Sequence, residues 1–194
     1  MALTLVKEDG TGLSNANSYA SVADGDAYFE GHLYATAWTA ATSGTKAAAL
    51  VMATRLVDSQ FQFNGVRANE SQALQWPRAE CRDPDGGSAG WGVRSAGYVE
   101  SDVVPAAVVR ATCEMARELL IVDRTAAAPG EGISATQTST ATHDGTGAGS
   151  SSMASTTYSK ADVRKIITPV ARAILGKYRT PVIGGSGAVR LVRA

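Results

Sequence analysis

Apolar residues recur at helical spacing in four stretches of the chain, and each stretch predicts a helix with one buried face. The second stretch is the clearest, because Leu50, Ala53, Leu56 and Val57 fall on a single stripe. The predicted helices cover about 22–33, 45–60, 103–124 and 160–179. The pattern predicts a mainly α fold with a four-helix bundle-like body, carrying a β-hairpin or extended arm and an extended C-terminal strand.

Local signals set the ends of these helices. Ser21 followed by Asp24 is typical of a capping box, which begins the first helix. The third helix is expected to hold Pro105 in its first turn, where a missing N–H is tolerated. Pro169 falls inside the fourth apolar pattern and predicts a kink there.

Charged residues lie opposite the apolar stripes. Asp58 is expected to face outward from the second helix. Glu114 is expected on the solvated face of the third helix, together with Arg110, Arg117 and Glu118.

The composition changes in residues 125–159, where 27 of 35 residues are Ala, Gly, Ser or Thr. Such a segment buries too little apolar surface to offset its own ordering entropy. Thr136, Thr138, Thr140 and Thr142 alternate along it as in a strand, and Asp144-Gly145 is a hairpin turn signal. We expect an arm that becomes a β-hairpin against a neighbour; a disordered linker is the alternative.

The C-terminal tail, residues 180–194, follows the predicted fourth helix. Its glycine-rich tether, residues 184–187, leads to a short apolar and basic end that suits an extended strand better than a helix. That end consists of Ala188, Val189, Arg190, Leu191, Val192, Arg193 and Ala194. A neighbouring subunit or another protein could supply the strand's partner, whereas a frayed terminus is the alternative.

Charge is unevenly distributed, although the formal net charge is zero. Residues 160–194 hold eight Lys/Arg and one acid, a net of +7, so residues 1–159 carry −7. The basic residues of the predicted fourth helix share much of one face: Lys160, Arg164, Lys165, Arg172 and Lys177. This face could line a path for nucleic acid, meet the acidic body of a neighbouring subunit, or be solvated.

No catalytic, cofactor or metal-binding constellation is visible in the sequence. The two histidines, His32 and His143, have no nucleophile at a suggestive spacing, and Cys81 and Cys113 form no metal or disulfide framework. Secretion signals and apolar membrane spans are also missing, which predicts cytosol-like surroundings. We therefore expect no enzyme and no membrane partner.

Four segments, taken together, resemble a phage protein family often labelled DnaT-like single-stranded-DNA-binding. They are Glu8–Tyr19 (EDGTGLSNANSY), Gln72–Arg78 (QALQWPR), Val104–Val108 (VPAAV) and Gly185–Ala194 (GSGAVRLVRA). The resemblance covers most of the chain outside the Ser/Thr-rich arm, whose composition departs from the family pattern.

The resemblance implies a head–tail connector, or adaptor, of long-tailed bacteriophages. Such proteins form a ring, typically dodecameric, below the portal protein, and double-stranded DNA passes through it without sequence recognition. Ala188–Ala194 would dock on the portal, and the 132–158 arm would contact the next subunit or a tail-side connector, stopper or tail-terminator protein. The expected location is the neck of the virion, assembled in the bacterial cytoplasm. A single-stranded-DNA-binding module is the alternative function.

Overall fold

The computed structural model describes residues 3–84, 97–127, 135–143, 149–157 and 164–180. The chain divides into two compact units, Met1–Asp123 with Ile167–Ala194, and Arg124–Ile166. Unit 1 contains the helices of the described part: α1 (Val22–Phe29), α2 (Thr36–Thr39), α3 (Ser43–Gln60), α4 (Ala106–Leu119), α5 (Pro169–Leu175) and a 3-10 turn, Gly176–Tyr178. The predicted mainly α fold is confirmed.

Helix α4 is the centre of unit 1, because α1, α3 and α5 all pack against it. Its apolar stripe includes Val108, Ala111 and Met115, which are fully buried. Around this helix the core is rich in aromatic rings, and Trp38 and Trp76 are among its largest fully buried side chains. Both tryptophans therefore act in packing, as a lone tryptophan does more often than in base stacking.

Unit 1 also contains two short antiparallel strand pairs. β1 (Gln62–Phe63) follows α3 and pairs with β6 (Arg179–Thr180), which follows the 3-10 turn. β2 (Val66–Arg67) pairs with β3 (Arg78–Ala79). The first pair fixes the end of the described C-terminal segment to the end of α3.

Unit 2 contains the predicted hairpin, and its strands pair with each other inside one chain. β4 (Ala135–His143) and β5 (Gly149–Thr157) run antiparallel in continuous register, from Ala135 opposite Thr157 to His143 opposite Gly149. The predicted hairpin pairing is present within one chain, and its folding against a neighbour stays a prediction. The predicted Asp144-Gly145 turn lies outside the described residues.

Helix ends differ from the predicted ones where proline and glycine intervene. The capping box of Ser21 and Asp24 is present, but α1 ends at Phe29 rather than near 33, two residues before Gly31. Helix α4 begins only after Pro105, because proline disfavours the helical conformation of the residue before it. A further helical turn, α2, lies between the first two predicted helices.

The prediction for the fourth helix is wrong about where the helix begins and about the kink at Pro169. Helix α5 begins at Pro169, not near 160, so the proline occupies the first turn and kinks nothing. The Thr168 hydroxyl caps the helix by accepting a hydrogen bond from the Ala171 N–H at 3.2 Å.

Candidate functional site

The predicted basic face does not exist as one side of a single helix, because Arg164 and Lys165 precede α5 and belong to unit 2. The Arg164 guanidinium donates to the Ala126 carbonyl at 2.8 Å within that unit. Arg172 lies on α5 and Lys177 in the 3-10 turn, both in unit 1. Lys160 is outside the described residues.

The predicted docking strand, Ala188–Ala194, also lies outside the described residues. The described chain ends in β6, where Arg179 stands opposite Phe63. The Arg179 guanidinium lies 4.9 Å from the centre of the Phe61 ring, a cation–π distance. The last described residues before the tail are therefore paired, as β6, with β1 at the end of α3.

The first signature segment is a closed loop around a buried carboxylate. Glu8 is 1% exposed, and its oxygens accept hydrogen bonds from the N–H groups of Gly10 (3.0 Å), Gly12 (2.9 Å) and Leu13 (3.0 Å). Gly10 has a φ of +104°, and a Cβ there would lie 1.9 Å from the Asp102 carbonyl oxygen. The loop therefore requires glycine and carries its own buried anion, which satisfies its N–H groups.

A hydrogen-bonded network joins the first signature segment to the second. The Tyr19 hydroxyl donates to Asp58 at 2.5 Å and accepts from the backbone N–H of Trp76 at 3.1 Å. The other Asp58 oxygen accepts from the Gln75 N–H at 3.0 Å. Asp58 was expected to face outward. It is half-buried and faces Tyr19, because two separate segments supply hydrogen-bond donors to its carboxylate.

Burial raises the pKa of Asp58 to about 6, although its hydrogen bonds from Tyr19 and Gln75 and the charges of Arg78 and Arg67 act in the opposite direction. Burial, helped by the Asp58 charge, raises the pKa of Tyr19 far above its usual value, so its hydroxyl stays protonated and donates. The folded state therefore binds the Asp58 proton more tightly than the unfolded chain does. Stability contributed by this proton is present below about pH 4 and is lost as pH rises towards about 6.

We predict that the wild-type protein loses about 2–3 kcal/mol of unfolding free energy between about pH 4 and about pH 7, relative to Asp58→Asn. The asparagine cannot ionise, so it removes this pH dependence whatever it costs in hydrogen bonding. Urea unfolding of both proteins at the two pH values measures the difference, and the titration of all other groups cancels. Parallel pH profiles would show that Asp58 has an ordinary pKa.

Glu114 corrects a second prediction, because it is 3% exposed rather than solvated. The Tyr28 hydroxyl donates to Glu114 at 2.9 Å, and Arg117 lies 3.3 Å from its other oxygen. His32 Nε2 is 3.4 Å from the same oxygen that Tyr28 contacts. This cluster ties α1 and the residues after it to α4.

Other chemistry is sparse in the described part of the chain. Within those residues, no group of three or more His, Cys, Asp or Glu could hold a metal ion. Cys81 and Cys113 are buried free thiols, and burial raises the pKa of Cys113 to about 12, so this thiol stays protonated. None of the described helices combines the length and the apolar character that crossing a bilayer requires.

The fold and these contacts define a mainly α protein in which the first two signature segments are hydrogen-bonded to each other and to α3, and which carries a β-hairpin in its second unit. A family model described as "Putative DnaT-like ssDNA binding protein" matches residues 3–194, and the chain belongs to this family. Comparison with curated proteins gave no match, and neither did comparison with solved structures. The family predicted from the sequence is confirmed, whereas the connector role stays a prediction.

Proposed function

We propose that the chain is a structural head–tail connector of a tailed phage virion, which forms a ring below the portal and joins the capsid vertex to the tail. The hairpin of β4 and β5 is the observation that carries this proposal. Each strand is nine residues long, and within the described residues each pairs only with the other. An isolated two-stranded hairpin is marginally stable in water, and its open edges are suited to pairing with another chain.

The location of the hydrophobic core supports an assembly role. Every core residue in the described part of the chain belongs to unit 1. In the hairpin, Met153 is 70% exposed. A two-stranded hairpin gains stability from a partner protein, so the cost of ordering it is offset only in the correct complex.

Ring formation follows from head-to-tail contacts whose rotation closes. In this proposal the hairpin contacts the next subunit or a tail-side protein, and residues 188–194 dock on the portal protein. DNA passes through the ring, and the excess of basic residues in 160–194 favours its phosphates without sequence recognition. The proposed role involves joining and no turnover of a substrate.

Deletion of residues 187–194 tests this role in a phage that encodes the chain. The subunit is expected to fold, because the core and the β1–β6 pair lie outside the deleted residues, while filled heads fail to join tails. A matched control keeps the length and composition of the tail but reverses its order, and it should fail in the same way if a specific strand docks. Normal virion yield from the deletion would contradict the docking role.

Single-stranded-DNA binding is the second candidate, and the family description favours it. DNA bases cannot stack on Trp38 or Trp76, because both side chains are fully buried. Binding would therefore depend on phosphate contacts and fall steeply with salt.

A further inference from the structure

A cleft of about 390 Å³ lies in unit 1, and two arginines line it. Arg55 comes from α3 and Arg67 from β2, and both side chains are exposed. Leu74, which is half-buried, adds apolar surface to the same lining. The cleft lies at the small end of the range of ligand pockets, roughly 300–1,000 Å³.

The fold leaves both guanidinium groups available. Within the described residues, neither Arg55 nor Arg67 makes a hydrogen bond or an ion pair. Arg78, which stands opposite Arg67 in the β2–β3 pair, differs because its nitrogens donate to three backbone carbonyls. Arg78 therefore has a structural role, whereas Arg67 has no hydrogen bond to the described residues.

Asp58 also lines the cleft, and its carboxylate interacts with the Arg67 charge. Its two oxygens accept hydrogen bonds from the Tyr19 hydroxyl and the Gln75 N–H. The two arginines and this carboxylate leave a local excess of at least one positive charge. An anionic ligand would therefore find donors that are not already occupied.

We propose that Arg55 and Arg67 bind the backbone of a single nucleic-acid strand, each guanidinium on a phosphate, with Leu74 against the intervening nucleoside. Guanidinium groups match phosphate oxygens with two parallel hydrogen bonds, and two of them suit the repeating charge of a strand. The site is too small for a duplex but accommodates one nucleotide unit. This inference rests on the single-stranded-DNA-binding candidate and is independent of the connector role.

The test measures fluorescence anisotropy of a short labelled oligothymidylate with the full-length chain. In Arg55→Gln/Arg67→Gln, the Kd at low salt is expected to rise at least about tenfold. The slope of log K against log salt should fall by about 1.4, because each single-strand phosphate contact contributes about 0.7. The charge-matched control Arg82→Gln/Arg110→Gln removes two exposed arginines outside the cleft, and it should change Kd by less than about twofold.

Competition with inorganic phosphate and with a polyglutamate peptide separates the possible anions. Displacement by a second oligonucleotide alone supports a strand-binding cleft, whereas displacement by polyglutamate at equal charge would overturn it in favour of an acidic protein partner. Displacement by inorganic phosphate at equal concentration would equally overturn strand recognition. If the wild-type protein binds the oligonucleotide and the double variant binds it equally well, the assignment of Arg55 and Arg67 is refuted, but single-stranded-DNA binding is not. No wild-type binding would refute both the cleft and the single-stranded-DNA candidate, while the connector proposal is judged by virion assembly.

Discussion

Glu8→Ala is expected to lower the free energy of unfolding by about 3–5 kcal/mol. The substitution leaves the N–H groups of Gly10, Gly12 and Leu13 without the carboxylate that accepts from them at 2.9–3.0 Å. Two of these contacts are buried, where an unpaired donor costs far more than in water. Urea unfolding followed by circular dichroism measures the loss.

Asp9→Ala is the matched control for this experiment. Asp9 is the neighbouring acid, and its side chain accepts from the Thr11 N–H and hydroxyl at an exposed position. Little change in stability is expected from it. If Glu8→Ala were no more destabilising than Asp9→Ala, the loop would not depend on its buried carboxylate.

Gly25→Ala should destabilise the protein by about 2–3 kcal/mol, even though alanine is the better helix former. A Cβ at position 25 would lie 2.3 Å from the Trp38 ring. That ring cannot move aside easily, because it is fully buried and its N–H donates to Asp26 at 2.8 Å. The same unfolding measurement, with near-ultraviolet circular dichroism to report on Trp38, detects the strain.

Gly44→Ala provides the comparison, since it makes the same change in a helix with free space. A Cβ there meets no atom within 4 Å, and position 44 lies in the first turn of α3. It is expected to stabilise the protein by about 0.5 kcal/mol. Equal effects at the two positions would show that contact with Trp38 does not decide the outcome.

Sequence patterns predicted the elements that depend on neighbouring residues. The apolar stripe of α3 placed that helix within two residues of its observed bounds, Ser43–Gln60. The Ser21 capping box and the alternating threonines of β4 were likewise local signals. Such signals are reliable because a helix cap or a strand is specified by residues close together in the chain.

The residues that sequence reasoning misplaced are those whose environment is set by distant segments. Asp58 and Glu114 look solvated because an acid at the edge of an apolar stripe usually is. Their burial depends on Tyr19, 39 positions from Asp58, and on Tyr28, 86 positions from Glu114. Only the tertiary fold brings these hydroxyls to the two carboxylates, and the periodicity of a single sequence does not indicate such distant contacts.

The first two segments of the family signature contribute to the packing of unit 1. Glu8 closes its own loop, and Tyr19 joins that loop to Asp58 and Trp76. These contacts join the N-terminal loop of unit 1 to α3 and to the segment before β3. Under the connector proposal, the arm and the tail would select the partners.

Electron cryomicroscopy of the neck of intact virions tests the connector role most directly, in a phage that encodes this chain. The proposal predicts a closed ring of copies below the portal, with DNA along its axis, the hairpins on a neighbouring subunit or a tail protein, and residues 188–194 added to a strand of the portal. Virions that contain no copy of the chain, or a tail strand paired within its own subunit, would contradict it.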